Sequence, residues 1–471
     1  MPILSAITIM LIIHIFLCKR TKKDVYISLL TLDIIFQIAW PEGYFIGSGD
    51  THFATSQAIV EMCLFIYAIY YLLGTNVRIP QTVFYGGIIF LFFILMGTIY
   101  EVLFPVDFPI INNYDQWDAY AYGKTNKEAI SIDIKKQVQF YYTLINYLIN
   151  VFIIKSIFTK TELIYIGRKI SKVFKGIVIL GMGEFVLKNI LLMPETYFVI
   201  KGYILGKSNN AVQEPTMRGS LYSLEGITSE PSHFILTLFF FCVVGCMLYK
   251  YEDKLHDCFG MKKYILGSVF LMVLSGGFSA FWYIFMLTLV FLVLKYELYK
   301  MDWHMATRYI KYIVVLVFVG AVVLYTLLST VPDYEYRLNS AIQVVEYLTS
   351  NRVVMPEQLD SSLPRLMSCY DVFMDFLERP LLGLGMGIQS AHDSFATMLS
   401  FFGCLGMFAG TRFILLKGRF VKHYDTVMLV LLYFVSGIPL GFTDLQVPLI
   451  ALNQIYIFEL TSIYIGEDND T

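Results

Sequence analysis

The chain has 471 residues, 57% of them hydrophobic and 15% charged, with a mean hydropathy of +0.64. A soluble domain carries roughly 45–50% apolar and about 25% charged residues, so a soluble enzyme, a disordered chain and a secreted disulfide scaffold are excluded. The formal net charge of −2, from 35 Lys+Arg against 37 Asp+Glu, offers no basic face for nucleic acid.

A helix needs about 20 apolar residues to cross the hydrocarbon core. In chain order, runs of this kind predict spans at Ile3–Cys18, Tyr26–Trp40, Ala58–Leu73, Val83–Phe104, Phe140–Phe158 and Phe174–Met193. Further runs follow at Phe234–Leu248, Tyr264–Ser275, Ala280–Leu294, Tyr312–Leu328, Phe395–Leu416, Thr426–Gly441 and Val447–Ile465. Ser275-Gly276-Gly277 marks either a tight hairpin or a broken helix, so the reading is an all-α polytopic membrane protein of roughly 11–13 helices in one integral domain. The seven cysteines lie mostly in apolar runs, where thiols behave as small hydrophobes, and no metal-ligand spacing joins them.

Lys19, Arg20, Lys22 and Lys23 crowd the first connection, and Lys160–Lys175, Lys250–Lys263, Lys295–Lys311 and Lys417–Lys422 are also basic. By the positive-inside rule these segments share the cytoplasmic side. The long mixed-charge connections Pro105–Lys136, Pro194–Ser229 and Thr330–Asp393 then lie outside. Within the third, Ser361 or Ser362 precedes Pro364, and Leu363, Leu366, Met367, Tyr370, Phe373, Met374 and Leu377 recur at helical spacing. That pattern predicts an amphipathic interfacial helix over about 361–378, closed by Arg379-Pro380 and a glycine turn.

Three constellations have chemical potential. Arg218 through Ser232 ends where a span begins, with Pro231 at its first turn, Ser229 or Ser232 as its cap and Glu230 beside its positive end. The plain reading is a capped helix entrance. The sharper one is an anion site in which Arg218 offers a fork of donors to phosphate and Glu230 stands by as base or sugar ligand. The second is Arg365, either a snorkelling surface charge or a partner of Arg218 on a diphosphate. The third is His392-Asp393 ahead of Gly403-Cys-Leu-Gly406, where the glycines admit a second helix and the imidazole is either a polar cap or a general base. Glu184 and Lys188, four apart in one span, are expected to form a structural pair. Asp468-Asn-Asp470 reads as a frayed tail. Tyr114, Trp117 and Tyr120 are candidates to stack on sugar rings.

Together these features resemble the bacterial O-antigen repeat-unit polymerases (Wzy-type), in the superfamily that includes the O-antigen ligases. Arg218…Gly226…Glu230-Pro231-Ser232 resembles their external Arg…Gly…Glu-Pro-Ser pattern. Arg365, about fifteen residues before Pro380…Gly383-Leu-Gly385-Met-Gly387, resembles the second arginine and its glycine turn. His392-Asp393 resembles the ligases' His-[Asn/Ser/Gln] motif, with an Asp in the second place.

The resemblance implies a GT-C-like glycosyltransferase without metal or cofactor, acting at the outer face of the bacterial inner membrane. Its donor and acceptor are glycans on undecaprenyl diphosphate, and its other partners are membrane lipids, a chain-length regulator and a flippase. Arg218 and Arg365 then bind the diphosphate. His392 or Glu230 takes the hydroxyl proton, a nearby arginine making Glu230 the poorer base. Gly226, Pro231, Ser232, Gly383, Gly385 and Asp393 support the site. An O-antigen ligase and a lipid-linked oligosaccharide flippase are the alternatives.

Overall fold

The computed structural model describes residues 2–39, 44–48, 51–105, 107–109, 127–129, 134–158, 160–206, 217–218, 221–228, 230–255, 260–275, 278–296, 318, 339, 372–374, 376–385 and 394–415. They are predominantly helical. The chain divides into two compact units, Met1–Val77 with Ile157–Ile310 and Arg78–Ser156 with Lys311–Thr471.

The first unit contains α1 (Ile3–Cys18), α2 (Lys22–Ala39), α3 (Ser56–Leu73) and α6 (Lys160–Phe185), then α7 (Pro194–Leu205), α8 (Pro231–Leu255), α9 (Met261–Leu274) and α10 (Phe278–Tyr296). The second contains α4 (Gln81–Leu103), nearly all of α5 (Ile134–Ile157) and α11 (Ser394–Leu415). Ten of the thirteen predicted spans therefore have a helix under them. Of the span at 312–328 only Phe318 is described, and those at 426–441 and 447–465 lie outside the described residues, as do Tyr114, Trp117, Tyr120 and 468–470.

α1 shows why these helices belong in a membrane. Its buried residues are Ser5, Thr8 and Ile15, while Ile3, Ile7, Met10, Ile13, Phe16 and Leu17 face outward. α4 likewise buries Gly87, Gly97, Thr98 and Glu101, here beside Val83, Phe90 and Ile94, and exposes Phe84, Ile88, Phe92 and Ile99. Water punishes such a surface and lipid rewards it. Among the described residues, Ser56–Leu73, Gln81–Leu103 and Phe140–Ile157 are long and apolar enough to cross a membrane. α2 is buried along almost its whole length, packing against α1, α3, α6 and α8 at the centre of its unit.

Three connections depart from the all-α expectation. β1 (Tyr44–Ser48) pairs antiparallel with β2 (Thr51–Thr55), β3 (Asp107–Pro109) with β4 (Lys127–Ala129), and β5 (Met217–Arg218) with β6 (Leu221–Tyr222). β2 hands directly to α3, where the Thr55 hydroxyl accepts the Ala58 amide at 3.2 Å. Thr55→Ala is expected to lower unfolding stability by about 1 kcal/mol, measured by thermal melting of the purified protein. A change under a few tenths would mean that water caps this end equally well.

Two sequence expectations are corrected. The basic stretch 160–175 is not a connection but the first half of α6. Ile166, Ile170, Phe174 and Ile177 are buried, whereas Arg168, Lys169 and Lys172 are exposed, so the segment is amphipathic at helical period. The supposed loop Pro194–Ser229 likewise begins with α7, which Pro194 opens as its first residue. Around Ser275-Gly276-Gly277, α9 ends at Leu274 and α10 begins at Phe278. The two helices pack on each other and share α8 as a common neighbour.

Candidate functional site

The site begins with a change of helical pitch. α6 widens into a π-turn over Val186–Ile190, and Leu192 then takes a left-handed conformation (φ 55°) that swings the chain into α7. π-turns are frequent at functional sites because they rotate side chains out of the ordinary helical register. Here the widened turn carries Lys188 and Asn189.

Glu184 and Lys188 pair at 2.7 Å, as their spacing predicts, with both side chains essentially buried. The pair does not stand alone. The Glu184 carboxylate also accepts the amides of Glu225 at 2.9 Å and Gly226 at 2.7 Å. Two successive backbone N–H groups aimed at one anion form a nest, and Gly226 (φ 56°) supplies the left-handed residue it requires. Any Cβ at Gly226 would run into the Phe234 ring.

Lys188 in turn donates to the Ser223 carbonyl at 3.0 Å, with its ammonium 4.5 Å from the Tyr197 ring centroid and 4.6 Å from that of Phe198. A second pair closes the cluster, Lys201 of α7 meeting Glu225 at 2.5 Å. Tyr197 donates to the Gly226 carbonyl, and Asn189 exchanges two hydrogen bonds with the Tyr222 backbone at 2.7 and 3.1 Å.

The two carboxylates and two ammoniums cancel, which is what allows four charges in a dry place. Burial pushes the Lys201 ammonium below its ordinary value, and the Glu225 charge opposes this without cancelling it. Burial raises the Glu225 carboxyl against the pull of Lys201 and Lys188. The Tyr197 phenol is raised by burial and by both carboxylates, so it stays protonated and keeps its donor role. Sequence reasoning missed Lys201 and Glu225. The available signal was two more charges in a segment flanked by spans, but nothing in their spacing of 24 residues says that they meet.

This cluster holds the segment that carries the first constellation. Arg218 sits on β5 opposite Leu221 of β6, and β6 leads into the clamped residues 222–226. Thr228 then bridges, its hydroxyl lying 2.7 Å from the Glu225 carbonyl and 2.9 Å from that of Glu230. Glu230 itself is the cap residue of α8, since its carbonyl accepts the Phe234 amide at 3.1 Å. Pro231 takes the first helical position as expected. Ser232 is not the cap. It lies inside the helix, and its hydroxyl donates to the Glu230 carboxylate at 3.1 Å, fixing that half-buried carboxylate at the positive end of α8.

The second unit positions the glycine turn. Gly383 (φ 68°) and Gly385 (φ 88°) adopt conformations natural only to glycine. α11 breaks at Gly403 (φ 58°, ψ −178°), and the turn is spliced into the break. Leu384 donates to the Ser400 carbonyl at 2.7 Å, while Cys404 and Leu405 donate to Pro380 and Leu381 at 2.8 and 3.0 Å. Gly403 therefore admits a turn rather than the second helix its spacing suggested, and Gly406 meets Phe402 of its own helix.

Arg379, before the turn, bonds the Glu101 carboxylate at 2.5 Å and the Phe104 carbonyl, and lies 4.7 Å from the Tyr100 ring centroid. Of the predicted interfacial helix, 372–374 and 376–378 are helical. Val372 and Phe376 are buried there, while Phe373, Met374 and Leu377 present apolar surface outward. Arg365, His392 and Asp393 lie outside the described residues.

Fold and site thus define a helical membrane protein with a charge-locked connecting segment at the mouth of one helix. Comparison with known proteins finds no matching family model, no matching curated protein and no matching solved structure. Among the described residues no cluster of three or more His, Cys, Asp or Glu is arranged to hold a metal ion.

Proposed function

We propose that the protein polymerises undecaprenyl-diphosphate-linked oligosaccharide repeat units into O-antigen or capsular polysaccharide, as a GT-C-like glycosyltransferase of 11–13 spans at the outer face of the bacterial inner membrane. The observation that carries this reading is the clamp on residues 222–226. Burying four charges is expensive, and a connection between two helices has no need of it. Such an arrangement makes sense where a segment must keep a fixed shape beside charged substrate, and this segment joins Arg218 to Glu230.

In the proposed reaction an acceptor hydroxyl attacks the anomeric carbon of the donor glycan. The carbon–oxygen bond to the diphosphate breaks, and its electron pair leaves with undecaprenyl diphosphate. Arg218 and Arg365 neutralise that leaving group, the kind of electrostatic stabilisation that commonly dominates catalysis. The hydroxyl proton passes to His392 or Glu230. The Ser232 hydrogen bond to Glu230 occupies one lone pair of its carboxylate and leaves others to accept from substrate.

Purified protein supplied with carrier-linked repeat units is expected to lengthen them with no energy source. Arg218→Ala should lower the rate by about 10²–10³, and Arg218→Lys should restore it only partly, because an ammonium offers a point charge instead of a fork. Full activity of the Ala variant removes Arg218 from the site. In cells, loss of the gene should leave single repeat units on the lipopolysaccharide or capsule. Long polymer stranded on its carrier would instead identify a ligase, and lipid translocation without elongation a flippase.

A further inference from the structure

One end of the first unit gathers cations that the proposed reaction does not use. α1 ends at Cys18 and Lys19 follows it at once, while α6 brings Lys169 and Lys172 on its exposed face. Tyrosine rings organise them. The Lys19 ammonium lies 5.0 Å from the Tyr165 ring centroid and that of Lys169 5.5 Å from the same ring. Lys19 also donates to the Tyr165 hydroxyl at 3.3 Å. Elsewhere in the same unit, Lys175 and Lys263 each stand 5.4 Å from the ring centroid of Tyr264.

The carboxylates described at the ends of α2 and α6 here are Asp24, exposed in the first turn of α2, and Glu162. Glu162 is taken by Lys23 at 2.5 Å. Among the described residues no carboxylate pairs with Lys19, Lys169 or Lys172. The Tyr165 phenol registers the excess. Burial pushes it up, yet hydrogen bonds with Ser28 and Lys19 and the charges of Lys19 and Lys169 outweigh burial and hold it below its ordinary value.

Like charges gathered around one ring repel, and an anion between them removes the penalty. These charges stand where an apolar helix ends, which is headgroup level in a membrane. Just below it α1 exposes Ile13, Phe16 and Leu17, an apolar track suited to an acyl chain. Phosphate beside hydrocarbon is the chemistry of a phospholipid, and basic pockets between helices are known to take such headgroups.

We propose that Lys19, Tyr165 and Lys169 form a binding site for the phosphate of an anionic phospholipid in the adjacent leaflet, with its acyl chain along α1. The site stands apart from the glycosyl-transfer reading and survives if that reading fails.

Native mass spectrometry of the purified full-length protein tests it, with phosphatidylglycerol, phosphatidylcholine and inorganic phosphate as separate probes. Phosphatidylglycerol should be retained preferentially. Lys19→Gln/Lys169→Gln should weaken it about 30-fold, from roughly a factor of five per lysine. Lys19→Arg/Lys169→Arg, which keeps both charges, should retain it and so separates lost binding from lost folding. Unchanged retention in the Gln variant overturns the site, as does equal retention of phosphatidylcholine. Inorganic phosphate binding as well as the lipid would overturn the assignment to a lipid.

Discussion

Glu184→Gln or Lys188→Met alone is expected to destabilise the protein by about 3–5 kcal/mol, because each leaves a buried charge without its partner. The double variant Glu184→Gln/Lys188→Met should recover most of that loss. It removes one charge of each sign and leaves Lys201 facing Glu225 at 2.5 Å. The Gln carbonyl oxygen can still accept an amide of the Glu225–Gly226 nest, and the Met places an apolar group where the Lys188 ammonium now stands beside the Tyr197 and Phe198 rings. Chemical unfolding in detergent measures all three. Single variants costing less than 1 kcal/mol would mean that water reaches the cluster and relieves it. Elongation by the double variant adds a second readout. A folded double variant that no longer lengthens chains marks the cluster as a positioning device for Arg218 and Glu230. One that lengthens them normally marks it as a fold-holding pair.

The Glu184–Lys188 pair was legible in the sequence because a helix fixes the geometry of residues four apart. The spans were legible for a similar reason: a run of apolar residues determines a membrane helix almost unaided, and Ile3–Cys18 is predicted to the residue. The rest of the site was not. Lys201 reaches Glu225 only because the π-turn and Leu192 redirect α7, and neither feature has a compositional signature. Ser232 looked like a cap because serine often is one. Two places earlier, Glu230 provides the cap carbonyl and its own acceptor, so the hydroxyl turns to the carboxylate instead. α6 was cut short at Phe174 because lysines on its outer face dilute an apolar count that its inner face satisfies. Local periodicity survives such dilution, whereas a window average does not.

Polar residues make the contacts that lipid cannot. Asn146 and Asn150 of α5 bond each other at 2.7 Å, and Lys155 donates to the Phe413 carbonyl of α11 at 3.2 Å. With the outside already apolar, there is little hydrophobic gain left in bringing helices together, so close packing and internal hydrogen bonds decide which surfaces meet.

Gly383→Ala and Gly403→Ala should each cost about 2–5 kcal/mol, combining the penalty for a side chain at positive φ with overpacking against backbone. A Cβ on Gly383 would fall 2.6 Å from the Gly403 nitrogen, and one on Gly403 would fall 2.5 Å from the Leu381 carbonyl oxygen. Neither neighbour is a side chain that can swing away. The splice also leaves no slack, because Leu384 takes the Ser400 carbonyl and Cys404, whose amide would bond that carbonyl in an unbroken helix, bonds Pro380 instead. Moving the turn outward breaks both bonds at once and exposes unpaired backbone in a helix read as spanning lipid. Gly183→Ala is the control. That residue is exposed on α6 with open space where the methyl would go, so alanine should be neutral or stabilising by up to about 1 kcal/mol. Melting temperatures of the three purified variants decide the matter. Gly383→Ala and Gly403→Ala melting with the control would mean that α11 is continuous and that the turn docks elsewhere.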